Sequence, residues 1–187
     1  MTRTIAVFVG SLRKDSFTRK VVDAIATLTP SLTFKHIDIG RAPHFNQDLE
    51  ATPPAEWVEL RDAVRSVDGL LFATPEYNRS VPGVLKNAID VGSRPYGQSV
   101  FSGKPGAVIS VSPGAIGGFG ANHHLRQTLA FLDVPCLQQP EMYVNNAAKL
   151  FDDGGKPNSD TEQLLTKFGI AFAAWVERFA TATPNQR

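Results

Sequence analysis

The chain opens with an apolar run, Thr4-Ile5-Ala6-Val7-Phe8-Val9, that gives way at Gly10 to Ser11-Leu12-Arg13-Lys14-Asp15-Ser16-Phe17-Thr18. Unbroken hydrophobicity over such a stretch predicts a strand buried on both faces, and such strands belong to parallel sheets. From Ser16 the period changes. Phe17, Val21, Ile25 and Leu28 recur every three or four residues, the spacing of an amphipathic helix. A strand feeding a short loop into a helix N-terminus gathers unpaired amide N–H groups and a positive dipole end at one point. Ser11, Ser16 and Thr18 bring hydroxyls there, and Arg13 brings a fork suited to phosphate oxygens. The plain alternative is a turn capped by Ser16, but capping explains neither Arg13 nor the other hydroxyls.

Missing glycines narrow the phosphate. Leu12 and Asp15 fill the second and third glycine positions of a dinucleotide fingerprint, and Asp15-Ser16-Phe17 stands where a triphosphate loop needs Gly-Lys-Ser/Thr. A hydroxyl-lined loop without close-approach glycines suits a terminal monophosphate better than a bridging pyrophosphate.

Strands and helices alternate along the rest of the chain. Thr33–Ile39 reads as a second strand, of mixed polarity and therefore at a sheet edge. A helix from about Pro54 turns Trp57, Leu60, Val64 and Val67 inward. Asp68–Thr74 and Gly106–Val111 are apolar strands, with a helix from Pro82 through Asp90 between them. A further helix carries Leu125, Leu129 and Leu132, and about Val134–Leu137 is expected as the fifth strand. Ser159 with Glu162 forms a capping box for a last helix bearing Leu165, Phe168, Phe172, Trp175 and Phe179. Five strands alternating with helices imply an α/β fold, a doubly wound five-stranded parallel sheet with helices on both faces. With an edge-like second strand, the flavodoxin-like order 2-1-3-4-5 is expected, in a single domain over residues 1–187. At 187 residues one substantial core is the natural outcome.

In such sheets ligands lie beyond the carboxyl ends of the strands, where strand order reverses. Loops 10–18, 75–83 and 112–118 are thereby expected to converge. The second presents Pro75, Glu76, Tyr77 and Asn78; the third, Ser112-Pro113-Gly114-Ala115-Ile116-Gly117-Gly118, offers bare backbone to a ring's polar edge. A monophosphate, a polyol and a flat heteroaromatic ring with carbonyl and imide groups match these demands in turn, which describes flavin mononucleotide (FMN).

Three motifs carry a resemblance. Gly-Ser-Leu-Arg-Lys-x-Ser-Phe in the first loop, Thr-Pro-Glu-Tyr-Asn-x-Ser-Val-Pro-Gly-x-Leu-Lys-Asn-Ala-Ile-Asp at 74–90 and Ser-Pro-Gly-x-x-Gly-Gly at 112–118 resemble the NADPH-dependent FMN reductase family, above all its quinone and chromate reductases. The likeness spans roughly residues 4–145. It implies a flavodoxin-like fold, non-covalent FMN, NADPH or NADH as electron donor, and a homodimer or homotetramer. Carried over, Ser11, Arg13, Ser16, Phe17 and Thr18 would hold the phosphate. Pro75, Glu76, Tyr77 and Asn78 would line the ribityl chain and ring, and Ser112 and Gly114 would meet the ring's far edge. Thr18 stands where the family usually has asparagine, and Val91 where it often has tryptophan.

Other features have plainer readings. Glu76 could cap the helix that follows or meet the flavin through its backbone. Lys86, Asn87 and Asp90 read as a solvated or subunit-facing helix surface. His123 and His124 lack a third ligand at zinc spacing, so no metal site is expected. Asp152-Asp153-Gly154-Gly155 reads as a turn, and Cys136, the lone cysteine, as a buried thiol in a reducing compartment. A net charge of +1 argues against nucleic acid as partner, and no apolar stretch approaches the ~18 residues of a membrane span. With no signal peptide at the N-terminus, a cytoplasmic protein is expected.

The predicted activity is NAD(P)H-dependent reduction of quinones or other small acceptors, and the resemblance implies metal oxyanions such as chromate as incidental ones. The flavin carries the chemistry, so no catalytic dyad is required. The alternative is a flavodoxin-type electron carrier without nicotinamide turnover. Such a carrier wants an acidic docking face, which this charge balance does not offer.

Overall fold

A computed structural model describes residues 2–180. Its elements in chain order are β1 (Arg3–Val9), α1 (Phe17–Leu28), β2 (Leu32–His36), α2 (Ala55–Arg65), β3 (Gly69–Thr74), α3 (Gly83–Gly92), β4 (Gly106–Val111), α4 (Phe119–Phe131), β5 (Met142–Val144) and α5 (Ser159–Ala180). The strands form one parallel sheet in the order β2-β1-β3-β4-β5. That is the flavodoxin-like arrangement expected from the alternation.

Because β1, β3 and β4 are buried on both faces, alternate side chains feed two separate cores. Ile5, Val7, Val9, Leu71, Ile109 and Val111 pack under α1 and α5. Phe8, Leu70, Phe72 and Val108 pack under α2, α3 and α4. The second core centres on an aromatic cluster. Phe8 stacks on Phe72 at 4.9 Å between ring centroids, and Phe101 meets both edge-on. Aromatic contacts of this kind add about 0.5–1.5 kcal/mol beyond area burial. β2 is the edge strand, with one buried residue of five.

Three expectations change. The fifth strand is Met142–Val144, paired with Ile109–Val111; the apolar run Val134–Leu137 makes a single bridge, between Cys136 and Gly106. Pro140, which has no N–H to donate, separates the two segments. The cap of α5 is Asn158, whose Oδ1 accepts from Thr161 N at 2.9 Å, so Ser159 is already the first helical residue. Asn87 is buried rather than surface-facing. Its Oδ1 accepts from Phe45 N (2.7 Å), and its Nδ2 donates to Ala42 O and Pro43 O. It therefore pins the segment after β2 onto α3, while Lys86 and Asp90 pair on the exposed side.

Candidate functional site

Loops 10–18, 75–83 and 112–118 leave the carboxyl ends of β1, β3 and β4, which are neighbours in the sheet. The first two touch. Gly10 N donates to Ala73 O at 2.8 Å. A Cβ on Gly10 would lie 3.1 Å from Leu85 Cδ2 and 3.2 Å from Pro75 Cδ, so a side chain there would have to push the second loop or α3 back by a few tenths of an ångström.

In the first loop Ser11, Ser16 and Thr18 are buried, whereas Leu12, Arg13, Lys14 and Asp15 are exposed. Ser16 caps α1: its Oγ accepts from Arg19 N (3.2 Å) and its carbonyl from Lys20 N (3.1 Å). The plain reading of Ser16 thus holds, but it does not exhaust the turn. The N–H groups of Phe17 and Thr18 have no acceptor within the helix. No acidic residue stands in that first turn to neutralise the dipole. Ser11 Oγ accepts weakly from Arg13 N (3.4 Å), and Phe17 is half-buried against the first core. Hydroxyls, free amides and an exposed arginine therefore share one helix end, a fitting cradle for a phosphate.

The second loop is tightly built. Tyr77 and Ser80 exchange backbone hydrogen bonds of 3.1 and 3.0 Å. The residues between them, Asn78 and Arg79, both have positive φ, the signature of a type I′ hairpin turn. Tyr77 is half exposed, and Pro75 stands at the junction with the first loop. Glu76 does cap a helix, but not the next one. Its Oε2 accepts from Ala121 N at 2.9 Å, at the start of α4, while α3 follows Pro82 with no side-chain cap.

The third loop departs from expectation in the role of its glycines. Gly117 (φ 60°) and Gly118 (φ 76°) occupy the left-handed region. A Cβ on Gly117 would lie 2.7 Å from the carbonyl of Tyr143. The pair serves the seating of the loop on β5 and the entry to α4, not close approach to a ligand. Gly114 is different. A Cβ there would meet only Ser112 Oγ, at 3.5 Å, so open space lies before it. Its N–H donates to Ser112 Oγ (3.1 Å), and Ser112 is itself anchored through Ser112 N to Val144 O (2.9 Å).

Buried Asn122 is a residue the sequence reasoning missed. It donates to Ser110 Oγ and Met142 O and accepts from Arg126 Nε, fixing α4 against β4 and β5. The available signal was an amide three residues before Leu125 on the apolar stripe. His123 Nε2 contacts Tyr143 OH, and His124 Nδ1 contacts Ser80 Oγ, each at 3.0 Å. Burial pushes the Cys136 thiol up to about 11, so it stays protonated at neutral pH and is a poor nucleophile.

Fold and site together define a flavodoxin-like protein whose first strand-to-helix turn has the donors that an anion would need. The family profile described as NADPH-dependent FMN reductase matches residues 3–149. A quinone reductase of Pseudomonas putida is 60% identical over 176 residues, covering 93% of this chain and 95% of that protein. A 2-hydroxy-1,4-benzoquinone reductase of a Burkholderia species is 47% identical over 178 residues, covering 94% and 97%. Among solved structures, FerB, an NAD(P)H:(acceptor) oxidoreductase of Paracoccus denitrificans, superposes with a TM-score of 0.90 at 41% identity, covering 95% of this chain and 98% of that one. The chain belongs to the NADPH-dependent FMN reductase family. It is an NAD(P)H-dependent oxidoreductase whose cofactor is FMN.

Proposed function

We propose that the chain is an NAD(P)H:quinone reductase formed as one FMN-binding domain, with quinones as its principal acceptors and chromate as an incidental one. The observation that carries this reading is the meeting of an anion-ready helix end with two ring-sized loops at one sheet edge. The likeness to quinone reductases supports the acceptor class. Ser11, Arg13, Ser16, Phe17 and Thr18 would hold the phosphate. Pro75, Glu76 (through its backbone), Tyr77 and Asn78 would line the ribityl chain and ring. Ser112 and Gly114 would face the ring's far edge. FMN, when bound, supplies the hydride chemistry; the chain supplies position and electrostatics. Among its own groups, the Ser112 hydroxyl, whose oxygen accepts from Gly114 N, keeps its proton to donate toward negative charge, as preorganised donors do.

With Tyr77, Asn78 and loop 112–118 at the edges, one broad face is left to donor and acceptor alike. The two therefore bind in turn, and initial-rate lines at several fixed acceptor concentrations are expected to be parallel. Intersecting lines would mean a ternary complex and would remove the shared-face argument. The cradle itself is tested by titrating the apoprotein with FMN and with riboflavin, which lacks the phosphate. FMN must bind far more tightly; equal affinity would sink the assignment of loop 10–18.

The protein is also proposed to be cytoplasmic and to self-associate as a homodimer or homotetramer. No helix among the described residues is long and apolar enough to cross a membrane. The apolar residues of α3 offer little to such pairing, since Leu85, Ala88, Ile89 and Val91 are buried inside the chain. The support moves instead to Tyr96 and Phe131, 84% and 82% exposed beside a groove between α3 and the end of α4. Light scattering that finds a fully active monomer at micromolar concentration would overturn self-association.

A further inference from the structure

Arg79 is held in a conformation that its side chain disfavours. Its φ is 65°, at the second central position of the I′ turn, after Asn78 at 51°. Asparagine suits the first position, but the second is a glycine position, because a Cβ in the left-handed region crowds the following carbonyl. Backbone cost retained beside a functional site points to use of the group it presents. The Arg79 side chain is 75% exposed, and its one ion pair among the described residues is a 3.4 Å contact with Glu76 Oε1. Glu76 is already committed through Oε2 to Ala121 N. Most of the guanidinium's five N–H donors therefore remain for a partner outside the chain.

The surroundings of Arg79 are aromatic and carry two imidazoles. Its carbonyl lies 2.7 Å from where a Cβ on Gly120 would stand, so the turn abuts the start of α4 beside Phe119. Phe119 is half exposed, and its ring lies tilted against that of His123 at 4.1 Å between centroids. Ser80, the next residue of the turn, is tied to His124. Tyr143 OH gives its only proton to Glu141 Oε1 (2.9 Å), so His123 Nε2 is the donor in its contact with that oxygen. Glu76 and Glu141 are the nearby carboxylates, and each is engaged within the chain.

We propose that this rim receives the adenosine 2′-phosphate end of NADPH, with Arg79 as the residue that distinguishes it from NADH. The phosphate monoester offers three oxygens and close to two negative charges to the guanidinium fork. The exposed ring of Phe119 offers a face to adenine. This assignment rests on the NAD(P)H-dependent reading above and adds a specificity residue to it.

Arg79→Gly is a clean probe, because glycine suits a positive φ and the variant must melt no lower than the parent. The FMN-loaded protein is titrated calorimetrically with 2′,5′-ADP and with 5′-AMP, which differ only in the 2′-phosphate, and KM is measured for NADPH and NADH. The parent must bind 2′,5′-ADP more tightly than 5′-AMP. In Arg79→Gly, 2′,5′-ADP affinity and the NADPH KM should worsen roughly ten- to hundredfold, the worth of one charge-assisted hydrogen-bond pair. 5′-AMP and NADH should be unaffected, and Arg79→Lys should recover part of the loss. Equal binding of the two nucleotides by the parent, or an unchanged NADPH KM in Arg79→Gly, would overturn the proposal. Equal losses for NADPH and NADH would overturn it too, by placing Arg79 on the shared pyrophosphate. Failure to hold FMN, or to be reduced by either nucleotide, would instead strike the functional reading beneath it.

Discussion

Two helix N-termini open on the same edge of the sheet, and they are finished in opposite ways. α4 is closed by the chain itself: Gly117 and Gly118 turn the backbone through the left-handed region, and the Glu76 carboxylate bonds the amide of Ala121. α1 has a neutral cap, Ser16, no acid in its first turn and an exposed arginine three residues before the cap. A helix end carries roughly half a positive charge, which an anion of either origin can satisfy. At α4 the anion is internal and the gain is stability. At α1 no acidic side chain fills that place, and under the proposed reading a phosphate takes it and the gain is binding. The same physics thus yields a structural joint in one loop and a candidate phosphate cradle in the other, and substitutions at the two ends should separate the two quantities.

The largest expected effect is at α4. Gly117→Val would force a β-branched residue to a φ of 60° and drive its Cβ against the Tyr143 carbonyl. Left-handed strain of about 1–2 kcal/mol and overpacking of about 1–3 kcal/mol combine, so thermal unfolding should show a severe loss. Gly114→Val, in open space, should leave stability nearly untouched and act on the rate of flavin reduction. Next comes Arg13→Ala, which should weaken FMN by about 1.5–3 kcal/mol, the worth of a hydrogen bond to a charged group. The apoprotein's melting point should not move. Glu76→Gln reverses that pattern: apoprotein stability should fall by about 1 kcal/mol, as expected for a damaged cap, with FMN affinity little changed. If Glu76→Gln instead weakened FMN as much as Arg13→Ala, the division between the two helix ends would collapse.

Most of the scaffold was legible in the sequence because it is written in periodicity. The apolar runs of β1, β3 and β4 and the spaced hydrophobes of α1, α2 and α5 leave few topologies open. β5 was misplaced because three residues, flanked by Glu141 and Asn145, carry too little pattern to compete with the more apolar Val134–Leu137. The components of the cradle were legible as residue types; the division of labour among them was not. That Glu76 reaches α4, that Asn87 faces inward, and that Gly117 and Gly118 serve the chain's own packing all depend on contacts distant in sequence. The turn at Asn78–Arg79 was hidden for another reason, since an Asn-Arg pair does not advertise positive φ as Asn-Gly would.

The smallest effect offers the closest test of the comparison, because it makes α1 resemble α4. Arg19 occupies the third position of α1, where its N–H already meets Ser16 Oγ. Arg19→Glu would complete a capping box with Ser16 and place a carboxylate in a first turn that has none. A negative group there is worth about 0.3–1 kcal/mol to the helix. Against this stands the loss of an exposed contact between Arg19 Nη1 and His36 Nδ1 at 3.3 Å, which is worth little in solvent. The apoprotein should therefore melt slightly higher. FMN should bind less tightly, because the new carboxylate competes with the phosphate for the same dipole and repels it, and riboflavin affinity should hardly change. Titrating both flavins at low and high salt decides the matter, since the penalty on FMN should shrink as salt screens the added charge. A variant that melts higher and keeps full FMN affinity at low salt would show that the phosphate does not sit at the end of α1.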